Sequence, residues 1–181
     1  AVCPYYNKPN RRGLIAHYTA VAAATDRPVI LYNIPSRCVI DMDHDLLREL
    51  AQIEHIDAVK QARYEDLEPI DGLDLIAGND DTLARVMDLG GTGGILVCSH
   101  IIGNEMRRMI DEPDARHELH DTYADLFEAM FVTSSPTPVK AALNMLGVDV
   151  GGLRLPMVEA SQEEAAQVRD ALERHGLLSA V

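Results

Sequence analysis

The sequence contains the stretch LYNIPSRCVID at 31–41 and, after a short helical interlude, the stretch IDAVKQA at 56–62. Each contains a short apolar run followed by polar residues, which is typical of a strand covered on both faces in a parallel sheet. Lys60 is one of only three lysines in the chain and lies at the end of the second run. An ammonium is costly to bury there, because an apolar interior does not replace its hydration. These two strand ends therefore indicate both the fold and the place of a site.

Apolar runs and amphipathic stretches alternate on either side of these two segments, which is typical of βαβ units and a parallel sheet. The pattern predicts strands at 29–32, 58–60, 73–77 and 94–97, with 1–3 as the end of an earlier strand. Helices are predicted between them at about 11–25, 44–52 and 81–89, with Asn10, Asp43 and Asp80 as their start signals. The 12 residues between Lys60 and Leu73 leave room for only a turn or two of helix.

The second half of the chain shows helical patterns alone, at about 104–111, 114–131, 138–146 and 161–175. The expected fold class is α/β, namely the second half of a (β/α)₈ TIM barrel, about strands 4–8, with a C-terminal helical region. Residues 1–102 are predicted to form the barrel half, and 103–181 the barrel-closing helix and a helical bundle. Because the chain starts without Met, inside a strand end, we expect an N-terminal portion with three further strands to precede it.

Composition excludes several classes of protein. The formal net charge of -13 argues against nucleic-acid binding, because phosphates attract basic surfaces. No segment reaches the roughly 18 apolar residues of a membrane span. The three cysteines are odd in number and lie among apolar residues, which suits reduced thiols better than a disulfide framework. A cytoplasmic globular protein is therefore expected, without nucleic-acid or membrane partners.

The strand ends also predict chemistry, because the active sites of such barrels lie at the carboxyl ends of the strands. An apolar pocket around Lys60 would lower its pKa and leave a free amine that can attack a carbonyl. Tyr32 could transfer protons to the resulting carbinolamine, and the planar guanidinium of Arg37 could bind a substrate carboxylate. On position alone, a lysine that reaches solvent explains Lys60 equally well; the neighbouring Tyr32 and Arg37 favour the catalytic interpretation.

Five segments in this order resemble the dihydrodipicolinate synthase and N-acetylneuraminate lyase family of pyruvate-dependent class I aldolases. They are PYYNKP (4–9), LYNIPSR (31–37), AVKQA (58–62), AGNDD (77–81) and GGTGGI (90–95). The resemblance continues through SSPTPVKAALNMLG (134–147) and LRLPM (153–157). Arg37, two residues after Pro35, resembles the pattern of the synthase branch of this family. The resemblance implies condensation of pyruvate with aspartate semialdehyde through a lysine Schiff base, without metal or organic cofactor, in a homotetramer.

The resemblance also implies individual roles. Lys60 would form the imine with pyruvate, Tyr32 would relay protons, and Arg37 would hold the semialdehyde carboxylate. The remaining matches are Tyr6, which would reach the site of a neighbouring subunit, Gly78 and Ile95, which would line the pocket through their backbone, and Tyr5, which falls where some members bind feedback lysine.

The chain departs from the family pattern in three respects. The Thr-Thr pair that orients pyruvate in the family belongs to an earlier strand that this sequence does not contain. The link after Lys60 is shorter than in the family, and Gln61 stands where an acidic residue is common. Two functional alternatives follow: another aldolase of the family, acting on a 2-keto-3-deoxy sugar acid or N-acetylneuraminate, or an incomplete barrel that serves only as an interaction module.

Other features have competing interpretations. The turn GGTGG (90–94) could bind a phosphate, and the pair Asp80 and Asp81 could bind a metal, although a helix cap explains such a pair more simply. His117 and His120 lie one turn apart without a third ligand, which favours a solvated helix face. Of the two other lysines, Lys140 in the helical tail is the rival for the imine, and Lys8 lies in a polar loop and is expected in solvent. An apolar stripe at helical spacing is expected to form core or subunit contacts; it consists of Leu119, Tyr123, Leu126 and Met130.

Overall fold

The structure is a computed structural model that describes residues 1–178. Its sheet has four parallel strands in the order β1-β2-β3-β4. The strands are β1 (Val29–Asn33), β2 (Ile56–Gln61), β3 (Asp74–Ala77) and β4 (Gly93–Gly94). Val2 bridges Tyr32 in parallel at the free side of β1, which confirms the predicted strand end at 1–3. All the carboxyl ends of these strands therefore meet at one edge of the sheet.

The two faces of the sheet differ in burial. Leu31, Val59 and Leu75 point to the face that is buried inside the protein. Tyr32 and Lys60 point to the opposite face and are only half-buried, as the period-2 alternation of strand side chains requires. The functional candidates thus lie on the less covered face.

The helices of the first half are α1 (Arg11–Ala23), α2 (Pro35–Cys38), α3 (His44–Leu50) and α4 (Leu83–Asp88). The predicted caps of the first and third are confirmed, since Asn10 accepts from Gly13 N and Asp43 accepts from Leu46 N. The short helix α2 was not predicted. It begins at a proline, which is favoured in the first helical position, and it carries Arg37.

The second half contains α5 (Gly103–Asp111), α6 (Arg116–Ala129), α7 (Thr137–Met145) and α8 (Gln162–Arg174), which confirms the four predicted helices. Ser161 and Glu164 form a capping box at the start of α8. Leu126 and Met130, from the apolar stripe of α6, are fully buried, as expected of core residues. None of the helices within 1–178 combines the length and the apolar character needed to span a bilayer.

The chain divides into two compact units, Ala1–Ile95 and Leu96–Val181, of which 179–181 lie outside the described residues. The first unit contains the sheet with α1 to α4, and the second contains α5 to α8. The assignment of 1–102 to a barrel half and 103–181 to a closing helix and bundle stays a prediction. All three cysteines are buried, and none of them forms a disulfide within residues 1–178.

Three details of the sequence prediction are wrong. The strand predicted at 94–97 is Gly93–Gly94, because β3 ends at Ala77 and offers no further partner; Val97 already has helical dihedral angles. The 62–73 link contains no helix in the structure, since Asp66 has a left-handed φ of 50° and Pro69 follows it. Asp80 does not precede the helical segment as an N-cap residue; Asn79 holds that position, and Asp80 is the first residue of a 3-10 helix, Asp80–Thr82.

Candidate active site

The centre of the site is the pair formed by the adjacent ends of β1 and β2. Tyr32 and Lys60 are register partners, so their side chains leave the same face of the sheet side by side. The Nζ atom of Lys60 lies 4.0 Å from the centroid of the Tyr32 ring. This cation–π contact supports the ammonium less than a carboxylate would, and a neighbouring aromatic face excludes water.

Burial sets the electrostatics of Lys60. Loss of hydration lowers the pKa of Lys60 from the ordinary value of a lysine. The negative charge of Asp80 opposes this effect and raises the pKa, but burial is the larger of the two causes. The result is a lysine that releases its proton more readily than one in water, as a nucleophilic amine must.

Tyr32 has the opposite shift. Burial raises the pKa of its hydroxyl, the positive charge of Arg37 lowers it, and Cys38 adds a further small increase. The phenol therefore stays protonated at neutral pH and can donate a hydrogen bond beside Lys60. The Arg37 guanidinium acts on this hydroxyl from α2, which follows β1 directly.

Arg37 itself has an exposed side chain. Among the residues that the structure describes, it has no ion-pair partner, in contrast to Arg48, which binds Asp45 and Glu68. A guanidinium without an internal carboxylate is available for one from a ligand.

Gly78 and Ile95 lie at the ends of the next two strands. Gly78 N donates to Gln61 O at 2.8 Å, and Ile95 N donates to Ala77 O at 3.0 Å. A Cβ atom added to Gly78 would lie 2.7 Å from Gln61 O, so only glycine allows β3 to end this close to β2. Both residues therefore extend the same edge of the sheet as Lys60.

The two tyrosines near the N-terminus are at this edge but point into solvent. Tyr5 is 66% exposed and Tyr6 is 91% exposed. Tyr6 also has a left-handed φ of 69°, a conformation that is unfavourable for a tyrosine. The structure thus brings Tyr32, Lys60 and the charge of Arg37 together, and leaves Tyr5, Tyr6 and the half-exposed Ile95 at the rim.

The competing candidates have other surroundings. In the GGTGG turn, the amides of Gly91 and Thr92 donate to the carbonyls of Val86 and Leu75, so these two donors are not available to a phosphate. Within residues 1–178, no group of three or more His, Cys, Asp or Glu side chains is placed to hold a metal ion. His120 packs its ring against Phe127 at 5.7 Å, so it is not on the solvated face expected for it.

The other two lysines also differ from Lys60. Lys140 donates a hydrogen bond to the carbonyl of Gly152. Lys8 is exposed in its loop, as predicted. Neither has the aromatic contact of Lys60.

Sequence reasoning missed several polar residues around the site. Asn33 and Gln61, which directly follow Tyr32 and Lys60, are 0% and 3% exposed and bind each other. Asp80, interpreted as a cap, is buried, and its charge acts on Lys60. The signal available in the sequence was position, because the residue after a strand-end candidate must point to the opposite, buried face.

Comparisons with known proteins identify relatives of this chain. The model of the dihydrodipicolinate synthetase family matches residues 1–175. The 4-hydroxy-tetrahydrodipicolinate synthase of Moorella thermoacetica is 42% identical over 191 aligned positions, and the match covers 98% of this chain and 65% of that protein. The chain thus spans slightly less than two thirds of the length of this curated relative.

Solved structures show the same likeness. The dihydrodipicolinate synthase of Cyanidioschyzon merolae with lysine bound has a TM-score of 0.91 and 39% identity, covering 98% of this chain and 64% of that one. The chloride-inhibited enzyme of Acinetobacter baumannii complexed with pyruvate has a TM-score of 0.92 and 32% identity, covering 98% and 65%. These matches confirm the α/β fold class, the second half of a TIM barrel with its helical region. The chain belongs to the dihydrodipicolinate synthetase family.

Proposed function

We propose that this chain carries the Schiff-base site of a class I aldolase-type lyase that condenses pyruvate with aspartate semialdehyde. The product would be 4-hydroxy-tetrahydrodipicolinate, a precursor of diaminopimelate and lysine. The single observation that carries the proposal is the contact of Lys60 Nζ with the Tyr32 ring, where burial lowers the lysine pKa. The name of the Moorella relative and the pyruvate in the Acinetobacter structure support the choice of substrates.

In the proposed reaction, the neutral amine of Lys60 attacks C2 of pyruvate, and the carbinolamine loses water to give a protonated imine. Its nitrogen accepts the electron pair when a methyl proton leaves, which forms the enamine. The enamine carbon attacks the aldehyde carbon of aspartate semialdehyde, and the aldehyde oxygen takes a proton. The amino group of the adduct then attacks the imine carbon, closes the ring and displaces Lys60 as the free amine. The protonated imine is the electron sink, so this scheme requires no metal or organic cofactor.

Tyr32 has the properties of the proton donor in this scheme. Its hydroxyl lies on the residue that contacts Lys60, and burial keeps it protonated at neutral pH. It would donate to the carbinolamine hydroxyl as water leaves, and recover the proton from the following steps. Positioned proton transfer of this kind contributes about 10² to 10⁴ in rate.

The remaining roles follow the strand ends. Arg37 is exposed, and its positive charge acts on the Tyr32 hydroxyl. Its guanidinium would bind the carboxylate of aspartate semialdehyde. Gly78 and Ile95 would line the pocket through their backbone. Tyr6 would reach the site of a second subunit of a homotetramer in the cytoplasm, and Tyr5 would contribute to a lysine site.

The substrate assignment is tested by Arg37→Ala. We expect the KM for aspartate semialdehyde to rise about tenfold or more, because a charged hydrogen bond to the substrate is lost, while pyruvate is still trapped on Lys60 by borohydride. Arg27→Ala is the matched control, since the Arg27 side chain is 84% exposed and pairs with the neighbouring Asp26. An aldolase acting on sugar acids would be indifferent to the loss of Arg37, and that result would refute the synthase assignment.

A further inference from the structure

A buried amide network lies directly behind the pair formed by Tyr32 and Lys60. Asn33 Nδ2 donates to Gln61 Oε1 at 2.9 Å, so the residues that follow Tyr32 and Lys60 are bound to each other on the opposite face. The backbone repeats the link, since Ala62 N donates to Asn33 O at 2.9 Å. Both side chains are buried, and a buried amide that is fully bonded fixes the position of its neighbours.

The same amide closes the segment 34–42. Asn33 Nδ2 also donates to Asp41 Oδ1 at 2.8 Å and to Met42 O at 3.2 Å, and its Oδ1 accepts from Met42 N at 3.1 Å. Three acceptors share its two hydrogens. The chain therefore leaves β1 at Asn33, runs through α2 and returns to the side chain of Asn33. Arg37 lies within this closed excursion.

Asp41 is the second point of attachment. Its Oδ2 atom pairs with Arg63 Nη1 at 3.3 Å, and Arg63 is largely buried, with 17% of its side chain exposed. Arg63 follows β2 by two residues, so Asp41 is bound to the end of β1 through Asn33 and to the end of β2 through Arg63. Without Asp41, the hydrogen bonds from the Asn33 side chain to this segment would be those to Met42.

We propose that Asn33 and Asp41 are positioning residues that hold the segment 34–42, which carries Arg37, against the strand ends of Tyr32 and Lys60. They do not touch the reacting atoms; they set where the guanidinium meets the carboxylate of the second substrate. The role of Arg37 rests on the proposed function, whereas the closure of the segment 34–42 by Asn33 and Asp41 does not. Misplacing a binding group by a small distance is enough to weaken a bound state that depends on orientation.

Asp41→Ala is the variant that tests this role, because Asn33→Ala would leave several buried polar groups without partners and is expected to unfold the chain. Asp41→Asn keeps an oxygen for Asn33 Nδ2 but loses the charge that pairs with Arg63, so it serves as a partial rescue. Asp45→Ala is the matched control, since Asp45 is 84% exposed and pairs with Arg48 at 2.9 Å in the same unit.

The first readout is amide hydrogen exchange, which needs no activity. The amides of Arg37, Cys38 and Val39 donate to the carbonyls of Ile34 and Pro35 within α2. In Asp41→Ala we expect their protection to fall about tenfold or more, as for the loss of a charged hydrogen bond, while the β1 and β2 amides stay protected. Unchanged exchange in 34–42 would overturn the inference.

The second readout separates positioning from the proposed function. In Asp41→Ala the KM for aspartate semialdehyde should rise about tenfold, whereas the rate of pyruvate trapping on Lys60 should stay within about twofold. Asp41→Asn should bring the KM part of the way back to the wild-type value. If wild type traps no pyruvate, the proposed function fails, and hydrogen exchange alone then tests whether Asp41 holds the segment 34–42. If wild type traps pyruvate and the KM of Asp41→Ala equals that of Asp45→Ala, the positioning role is refuted.

Discussion

Two lysines, each in its own unit of the chain, show how surroundings decide what an amine does. Lys140, on α7, donates a hydrogen bond to the carbonyl of Gly152, and its charge adds to the backbone hydrogen bonds that lower the pKa of Glu159. Lys60, at the end of β2, has an aromatic ring below its Nζ atom and no hydrogen bond from that atom within the described part of the chain. The first lysine binds a loop as an ammonium, and the second loses hydration without an acceptor to replace it.

This difference teaches that position in the fold, more than local sequence, separates a structural lysine from a reactive one. Both follow an apolar residue, Val59 and Val139, in the sequence. A carbonyl acceptor stabilises the ammonium, whereas burial without an acceptor favours the neutral amine. Each prediction below tests one part of the contrast.

Tyr32→Phe should have the largest effect. The ring that contacts Lys60 remains, but the hydroxyl that donates protons is lost, so imine formation should slow by about 10² to 10⁴ with little change in thermal stability. The rate of imine formation with pyruvate, read by borohydride trapping over time, measures this. Tyr64→Phe, at a 60% exposed tyrosine in the same unit, is the control. A Tyr32→Phe variant as fast as wild type would remove Tyr32 from the proton relay.

Replacing each lysine by Met should separate the two kinds of lysine by stability. Lys140→Met should lower the free energy of unfolding by about 1 kcal/mol, because a hydrogen bond to Gly152 O is lost. Lys60→Met should not lower it, because the folded state no longer holds a poorly hydrated charge. Urea unfolding at neutral pH measures both.

The sign of the Lys60 effect also fixes its pH dependence. The pKa of Lys60 in the folded chain lies below its value in the unfolded chain, so the unfolded chain binds the proton more tightly. The free-energy cost of holding the charged Lys60 in the folded state is therefore present at neutral pH. It should fade as the pH rises through the interval between the two pKa values. A loss of stability in Lys60→Met equal to that in Lys140→Met would show that both lysines are structural.

Asp80→Asn should have the smallest effect. The Asp80 charge raises the pKa of Lys60 against the larger effect of burial, so its removal should lower this pKa further. The acid limb of the pH profile of imine formation should then move to lower pH. Asp71→Asn, at an exposed residue of the 62–73 link, is the control. A shift to higher pH would contradict the assigned electrostatics.

The fold was largely predictable because β1, β2 and β3 are short apolar runs between turn signals, and such patterns are local. The prediction of a strand at 94–97 was wrong because the length of β4 depends on β3, a partner distant in sequence that ends at Ala77. Tyr32 and Lys60 could be paired from the sequence, since carboxyl ends of adjacent parallel strands share an edge.

The supporting residues of the site could not be found in the same way. Asn33, Gln61 and Asp41 are polar residues whose burial and bonding depend on how the segment 34–42 folds back. Asp80 resembled a cap because a carboxylate before a helix usually is one. Only the three-dimensional arrangement shows that its charge acts on Lys60.

The central claim, that Lys60 and not Lys140 is the reactive amine, is tested most directly by trapping. The purified, cooperatively melting chain is incubated with pyruvate and borohydride, and the reduced adduct is mapped by peptide mass spectrometry in wild type, Lys60→Ala and Lys140→Ala. We predict one adduct, on Lys60, that persists in Lys140→Ala and vanishes in Lys60→Ala. An adduct on Lys140, or none in the folded wild type, would contradict the account.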